Sequence, residues 1–173
     1  MPSPTLSGLG LEHRVVVGLA ELVVSNNPVA VLTTYSLGSC LGVTVYDPVA
    51  RVGGLLHAML PDSAIDPRKA QANPGMFIDT GVPALIRAAC EMRADKRRLR
   101  ICVAGGAQIM DDNSFFNIGS RNHAALTNLL RREGLGILAQ QIGGSVNRTV
   151  YLAIQTGRVT LKVSGFASEV VLC

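Results

Sequence analysis

The sequence predicts an α+β fold of mostly antiparallel, sandwich-like sheets flanked by two to three helices. Three observations predict it. Valine-rich, alternating segments cluster at the two ends of the chain, between Arg14 and Leu60 and between Asn147 and Ser164. Helical spacing occurs in only two stretches, around Ile78–Ala89 and Ala125–Leu130, so strands and helices do not alternate as a doubly wound parallel sheet requires. Aromatic residues are 4% of the chain, with no Trp, against 48% apolar residues. The core must therefore rest on Val, Leu, Ile and Ala, which suits β-branched strands covered by Ala/Leu helices.

Each element follows from its local pattern. Residues 1–11 carry Pro2, Pro4, Gly8 and Gly10 without periodicity and read as a loose tail. Arg14–Ser25 is one or two strands, Ser25–Pro28 a turn, and Val29–Thr34 a short strand. In Leu41–Asp47, Leu41, Val43 and Val45 share one face and Gly42, Thr44 and Tyr46 the other, which predicts a half-buried strand. Asp47-Pro48 opens a turn, and the next strand ends at Pro61. Residues 62–75 are polar, with two prolines, and read as a long exposed loop. A helix starting near Asp79 or Thr80 keeps Pro83 in its first turn and aligns Ile78, Val82, Leu85, Ile86 and Ala89. A strand over Arg98–Ala107, a polar loop from Asp111, and a second helix closed by Gly134 follow. Leu135–Gly144 is a strand. Asn147–Ser164 is a hairpin about Thr156-Gly157, setting Val150, Leu152 and Ile154 against Val159, Leu161 and Val163.

The net charge is +4, and Arg93–Arg100 supplies five of the 16 basic residues. No aromatic residue interleaves with that run, so it reads as a solvated helix end rather than a nucleic-acid surface. No C-x-x-C pair occurs among Cys40, Cys90, Cys102 and Cys173, and His13, His57 and His123 lack ligand spacing, so no metal is expected. No phosphate-binding loop is present, and no cofactor is expected. Without a secretory signal or an apolar run of membrane-spanning length, the expectation is a cytoplasmic protein with reduced thiols and no membrane insertion.

In that setting a thiol is free to be a nucleophile. Cys40 follows Gly38 and Ser39, small residues that leave its backbone open to a substrate carbonyl and its N–H groups free to meet an oxyanion. His57, in the next strand, is the candidate base, expected to lower the thiol pKa as an imidazolium. Thr34 brings a hydroxyl that can orient the imidazole. Taken singly, Cys40 reads more readily as a small core residue, His57 as a hydrogen-bonded core histidine and Thr34 as a strand residue.

The combination is more specific. "TYSLGSCLGVTVYDP" followed by "GGLLHAMLP" resembles the signature of the CheD family, the chemoreceptor glutamine deamidases of bacterial and archaeal chemotaxis. "FIDTGVPALI", the Gly105–Ala107 "GGA", "NIGSRN" and the terminal "NRTVYLAIQTGRVTLK" extend the resemblance over about residues 12–165. Leu56 stands where the family often has a polar residue, and Ala104 where it often has a bulkier one. The resemblance implies one deamidase domain over 12–173 that hydrolyses receptor glutamine side chains to glutamate. It implies Cys40 as nucleophile, His57 as acid and base, Thr34 as the imidazole holder, and Gly38 and Ser39 at the substrate. The implied partners are chemoreceptor cytoplasmic domains and, in some members, a CheC-type phosphatase. Competing readings are an adaptor without turnover, another cysteine hydrolase such as a peptidase or transglutaminase, and a basic nucleic-acid binder.

Overall fold

The valine-rich run near the N-terminus divides between two sheets. A computed structural model describes residues 12–108 and 117–173; the expected tail over 1–11 and the first part of the polar loop from Asp111 lie outside the described residues. Strand β1 (His13–Val16) lies beside β3 (Ala30–Leu37), whereas β2 (Leu22–Ser25) joins the other sheet. The turn between them is tight enough to put Ala20 at φ 60°.

The remaining strands are β4 (Leu41–Asp47), β5 (Val52–Ala58), β6 (Arg100–Gly105), β7 (Ala139–Ile142), β8 (Arg148–Ala153), β9 (Val159–Val163) and β10 (Glu169–Val171). One sheet runs β1-β3-β8-β9-β10 and the other β2-β5-β4-β6-β7. Among the described strands β1–β3 and β6–β7 pair in parallel and the other ladders are antiparallel; Leu60 and Phe77 add an isolated parallel bridge. Helices α1 (Pro67–Ala72), α2 (Ile78–Glu91) and α3 (Ile118–Arg132) complete the described elements, with 3-10 turns at Ser63–Ile65, Pro74–Met76 and Lys96–Arg98. The predicted α+β class, mostly antiparallel sheets flanked by two to three helices, is what the chain forms.

The layers follow from the side-chain alternation. Leu41, Val43, Val45, Leu56, Ala58, Ile101 and Val103 meet the apolar faces of α2 and α3. The opposite face of the same sheet presents Leu55, Cys102 and Ala104 to Leu32, Val150, Leu152 and Leu161 of the other sheet. The sheet carrying β4 is thus the middle of three layers. This corrects the half-buried reading of Leu41–Asp47: all seven residues are buried, because the helices cover the Leu41, Val43 and Val45 face while the other sheet covers the Gly42, Thr44 and Tyr46 face that alternation alone would leave to water. Burial of each large apolar side chain in this strand contributes roughly 1.5–3 kcal/mol.

Other boundaries also move. Residues 62–75 are a chain of short helical turns rather than a loop: Asp62, Asp66 and Asn73 each accept a backbone N–H at the start of a turn, and Pro67 and Pro74 sit at first helical positions. Helix α2 begins at Ile78, so Pro83 is its sixth residue and lies inside the helix. Gly134 follows α3 at φ +67°, as its capping role requires. The hairpin pairs Val150 with Leu161 and Leu152 with Val159, while Val163 faces Arg148. Strand β10 has too short a pattern to be read from sequence.

The basic run is tied into ion pairs. Arg98 holds the fully buried Asp47 at 2.7 Å, Lys96 meets Glu133 at 2.6 Å, and Arg97 meets Asp95 at 2.9 Å. Burial alone would raise the Asp47 pKa. Arg98 and the N–H groups of Asp95, Ala50 and Val49 outweigh it and hold the carboxyl well below the usual range.

The expectation of four reduced thiols is corrected at one pair: Cys102 and Cys173 form a disulfide across a sequence separation of 71. The last residues run along β9, with Leu172 N–H bonded to Val159 O and Cys173 O accepting from Val159 N–H. Cys173 is thereby carried to the inter-sheet core beside Cys102. Cys90, expected as a packing residue of α2, is exposed.

Candidate functional site

The site forms where β4 and β5 end against β3 of the facing sheet. Antiparallel pairing sets Gly42 opposite His57 and Leu41 opposite Ala58. His57 therefore shares the inner face with Leu55, and Cys40, two residues before Gly42, packs against the same inter-sheet core. Cys40 and His57 are diagonal neighbours on one face, a relation that spans roughly 7–8 Å between backbones and is within reach of longer side chains.

His57 is held on three sides. Its N–H donates to Glu21 O at 3.0 Å and its C=O accepts from Ala20 N–H at 2.9 Å. Its ring Nδ1 lies 2.7 Å from Thr34 Oγ1. Thr34 Oγ1 also lies 2.7 Å from Val17 O, which can only accept. The single hydroxyl proton therefore goes to Val17 O, and Thr34 accepts from Nδ1–H. That assigns the tautomer: Nδ1 carries the proton and Nε2 a lone pair. Nε2 is buried and takes no hydrogen bond from any described residue.

Gly42 makes this contact between sheets possible. A Cβ there would stand 2.8 Å from Leu37 Cδ1 and 3.6 Å from Thr34 Cγ2. With no side chain at that position, β3 leans onto the middle sheet directly opposite His57. The β3–β8 register shifts between Thr34 and Leu37, and Ser36 takes φ 55° there, so the chain turns into the Gly38–Cys40 bend.

Burial favours the neutral form of both candidate groups. Burial lowers the His57 pKa, because the imidazolium loses water. Burial raises the Cys40 pKa, opposed only by the residue's own backbone N–H. The sequence suggested a thiolate held by an imidazolium; the surroundings give instead a thiol and an imidazole with a free lone pair. His57 is 2% exposed, whereas Cys40 is partly exposed. A surface groove of about 580 Å³ lies elsewhere, lined by Pro61, Asp62, Asp79, Asn128 and Arg131.

Three positions that sequence reasoning did not single out for roles support the bend. Gly106 N–H donates to Cys40 O at 2.9 Å, and Ala107 N–H to Gly38 O at 2.8 Å. Asn122 of α3, fully buried, donates from Nδ2 to Ser39 O at 3.1 Å and to Met59 O at 3.0 Å. Their sequence signals are "GGA" and "NIGSRN". Gly105 takes φ +116°, and any Cβ on it would collide with Cys40 O, so glycine is required where β6 passes the bend. Among the described residues no cluster of three or more His, Cys, Asp or Glu is placed to hold a metal.

Several known proteins are similar to this chain. Residues 59–163 match the family model described as CheD chemotactic sensory transduction. The chain is 46% identical to the probable chemoreceptor glutamine deamidase CheD of Solibacter usitatus, over 92% of this chain and 94% of that protein. It is 46% identical to the probable chemoreceptor glutamine deamidase CheD 1 of Syntrophus aciditrophicus, over 87% of this chain and 94% of that one. The corresponding protein of Pyrococcus horikoshii is 37% identical, over 86% and 91%. A match spanning 92% of 173 residues necessarily includes positions 34, 40 and 57. Among solved structures, a Neisseria meningitidis protein of family DUF152 is similar at TM-score 0.44 and 13% identity, over 80% of this chain and 65% of that chain.

Proposed function

The chain belongs to the CheD family, and from that premise we propose that it hydrolyses glutamine side chains of chemoreceptors to glutamate, with Cys40 as nucleophile. The observation that carries the chemistry is the Val17–Thr34–His57 relay, which leaves Nε2 as an available base on the face that Cys40 shares.

In this reading Cys40 Sγ attacks the carboxamide carbon while Nε2 takes the thiol proton. The carbonyl becomes an oxyanion, met by backbone N–H groups of the Gly38–Cys40 bend. The tetrahedral centre collapses, the C–N bond breaks, and the imidazolium returns its proton to the departing nitrogen as ammonia. Water then attacks the thioester, giving a proton to Nε2, and the sulfur leaves and is reprotonated. Glutamate and free enzyme result. Thr34 keeps Nδ1 as the donor throughout, so Nε2 is always the exchanging atom.

The partner is the cytoplasmic helical region of a chemoreceptor, and a CheC-type phosphatase is a second candidate partner. A cytoplasmic location accompanies both. No helix among the described residues is long and apolar enough to cross a membrane.

The experiment is mass spectrometry of a receptor cytoplasmic fragment incubated with this protein and with Cys40→Ala. Deamidation adds about one dalton to the intact fragment, whereas proteolysis shortens it and amine transfer adds the amine. The expected result is the one-dalton gain with the wild type alone. The same gain with Cys40→Ala removes the nucleophile assigned here, and binding without any mass change identifies an adaptor.

A further inference from the structure

The bend before β4 has its carbonyls tied and its N–H groups free. Gly38 O, Ser39 O and Cys40 O accept from Ala107 N–H, Asn122 Nδ2 and Gly106 N–H respectively. Among the described residues neither Ser39 N–H nor Cys40 N–H meets an acceptor. Among the described residues no peptide bond is cis, so the C=O and N–H of each peptide point in opposite directions. Holding Ser39 O against α3 therefore directs Cys40 N–H away from α3, toward the inter-sheet side where the thiol packs. The same N–H is the group that opposes the burial effect on the Cys40 thiol.

Two of these ties come from backbone, and one comes from a side chain. Asn122 divides its two amide hydrogens between Ser39 O and Met59 O. Cys40 stands across from Met59, one step beyond the Leu41–Ala58 pair where the ladder ends. The carboxamide thus clasps the ends of the two strands that carry Cys40 and His57. Few side chains fit: a carboxylate presents only acceptors to two carbonyls, and a hydroxyl has a single hydrogen. Helix α3 comes close enough because Gly119 packs on Gly106 O without room for a Cβ.

We propose that Asn122 is a positioning residue for the deamidation: by fixing the Ser39–Cys40 peptide it aims Cys40 N–H at the oxyanion that forms when the sulfur attacks. The inference rests on the Cys40 reading above. Asn122 touches no reacting atom. Without its amide, Ser39 O is free to turn, and the donor leaves the position where charge develops.

The test separates steps that form an oxyanion from one that does not. Alkylation of Cys40 by iodoacetamide is a displacement at saturated carbon and needs only the thiolate. In Asn122→Ala, kcat for ammonia release from a receptor cytoplasmic fragment is expected to fall about 10²-fold, the scale of one lost oxyanion donor. KM and the plateau alkylation rate of Cys40, reached at pH above its thiol pKa, are expected to stay within about threefold of wild type, because neither the fully formed thiolate nor substrate binding depends on that donor. Unchanged kcat overturns the proposal, as does a parallel fall in kcat and alkylation, which marks a general loss of the site. Where Asn122→Ala melts too low to assay, Asn122→Ser keeps one donor in the same space and is expected to show the same split at smaller amplitude; its absence also overturns the proposal. Ammonia release by Cys40→Ala would instead remove the nucleophile, a separate failure read in the same assay.

Discussion

Thr34 Oγ1 and His57 Nδ1 lie 2.7 Å apart across the gap between the two sheets, and the threonine passes its own proton on to Val17 O. The imidazole is therefore oriented by a neutral hydroxyl rather than a carboxylate. A carboxylate would favour the imidazolium; a hydroxyl fixes the tautomer without adding charge. Replacing that hydroxyl with a methyl in Thr34→Val leaves Val17 O and Nδ1–H unpaired. Turnover on a receptor fragment is expected to drop about 10²-fold, and stability by about 1–3 kcal/mol. Thr34→Ser should restore both. Full turnover in Thr34→Val would show that the ring needs no holder.

The neutral pair has a pH signature. The Cys40 thiol ionises above its ordinary value of 9.0 because it is buried. Its iodoacetamide alkylation should rise along a single curve with a midpoint above 9.0, and His57→Ala should leave that curve nearly in place. A wild-type midpoint well below 9.0 that moves up in His57→Ala would restore the thiolate–imidazolium pair.

His57 also links stability to pH. Its pKa is lowered from 6.5 in the fold, so the unfolded chain takes up the proton first as pH falls. Stability from this group is complete above 6.5 and declines as pH drops toward the folded pKa. Urea midpoints between pH 7 and 5 should therefore fall more steeply in the wild type than in His57→Gln. Parallel curves would place the imidazole in water.

At the far end of β4, Asp47 is fully buried and answers to Arg98, whose side chain is 38% exposed. Asp47→Asn should cost about 2–3 kcal/mol, less than a wholly buried pair because Arg98 regains water. With its pKa lowered, Asp47 stabilises above the ordinary carboxylate value and loses that contribution in stronger acid. Chemical denaturation at pH 7 and pH 3 checks both: the gap between the two proteins should narrow at the lower pH.

The Cys102–Cys173 disulfide fastens the C-terminal segment to the middle sheet. Cys173→Ser should lower stability by about 2–4 kcal/mol without changing alkylation of Cys40. A loss of activity larger than the loss of folded protein would mean that the fastening reaches the site.

Much of this was legible in the residues. The period-two pattern of Leu41–Asp47 and the return strand through His57 put Cys40 at the start of one strand and His57 in the next, and the hydroxyl at the end of the preceding strand singled out Thr34. Alternation reports only one strand's two faces, so it did not reveal that a second sheet covers the Gly42, Thr44 and Tyr46 face of β4. The 62–75 segment was misread although its signals are present: Asp66-Pro67 and Asn73-Pro74 are helix starts, but three turns of so few residues have no apolar period to betray them. Asn122 sits 83 positions from Ser39, and no local rule links a helix amide to a distant carbonyl. The disulfide was equally hidden, since its spacing matches no motif and only the path of the last residues along β9 brings the sulfurs together.

The double burial of β4 has a consequence for how the molecule loses function on warming. Amides in such a strand exchange with deuterium only when the whole structure opens, whereas edges such as β1 and β10 open locally. Cys40 and His57 are therefore anchored to the last part of the chain to come apart. Catalysis should persist through fraying of the periphery and disappear in one step with global melting.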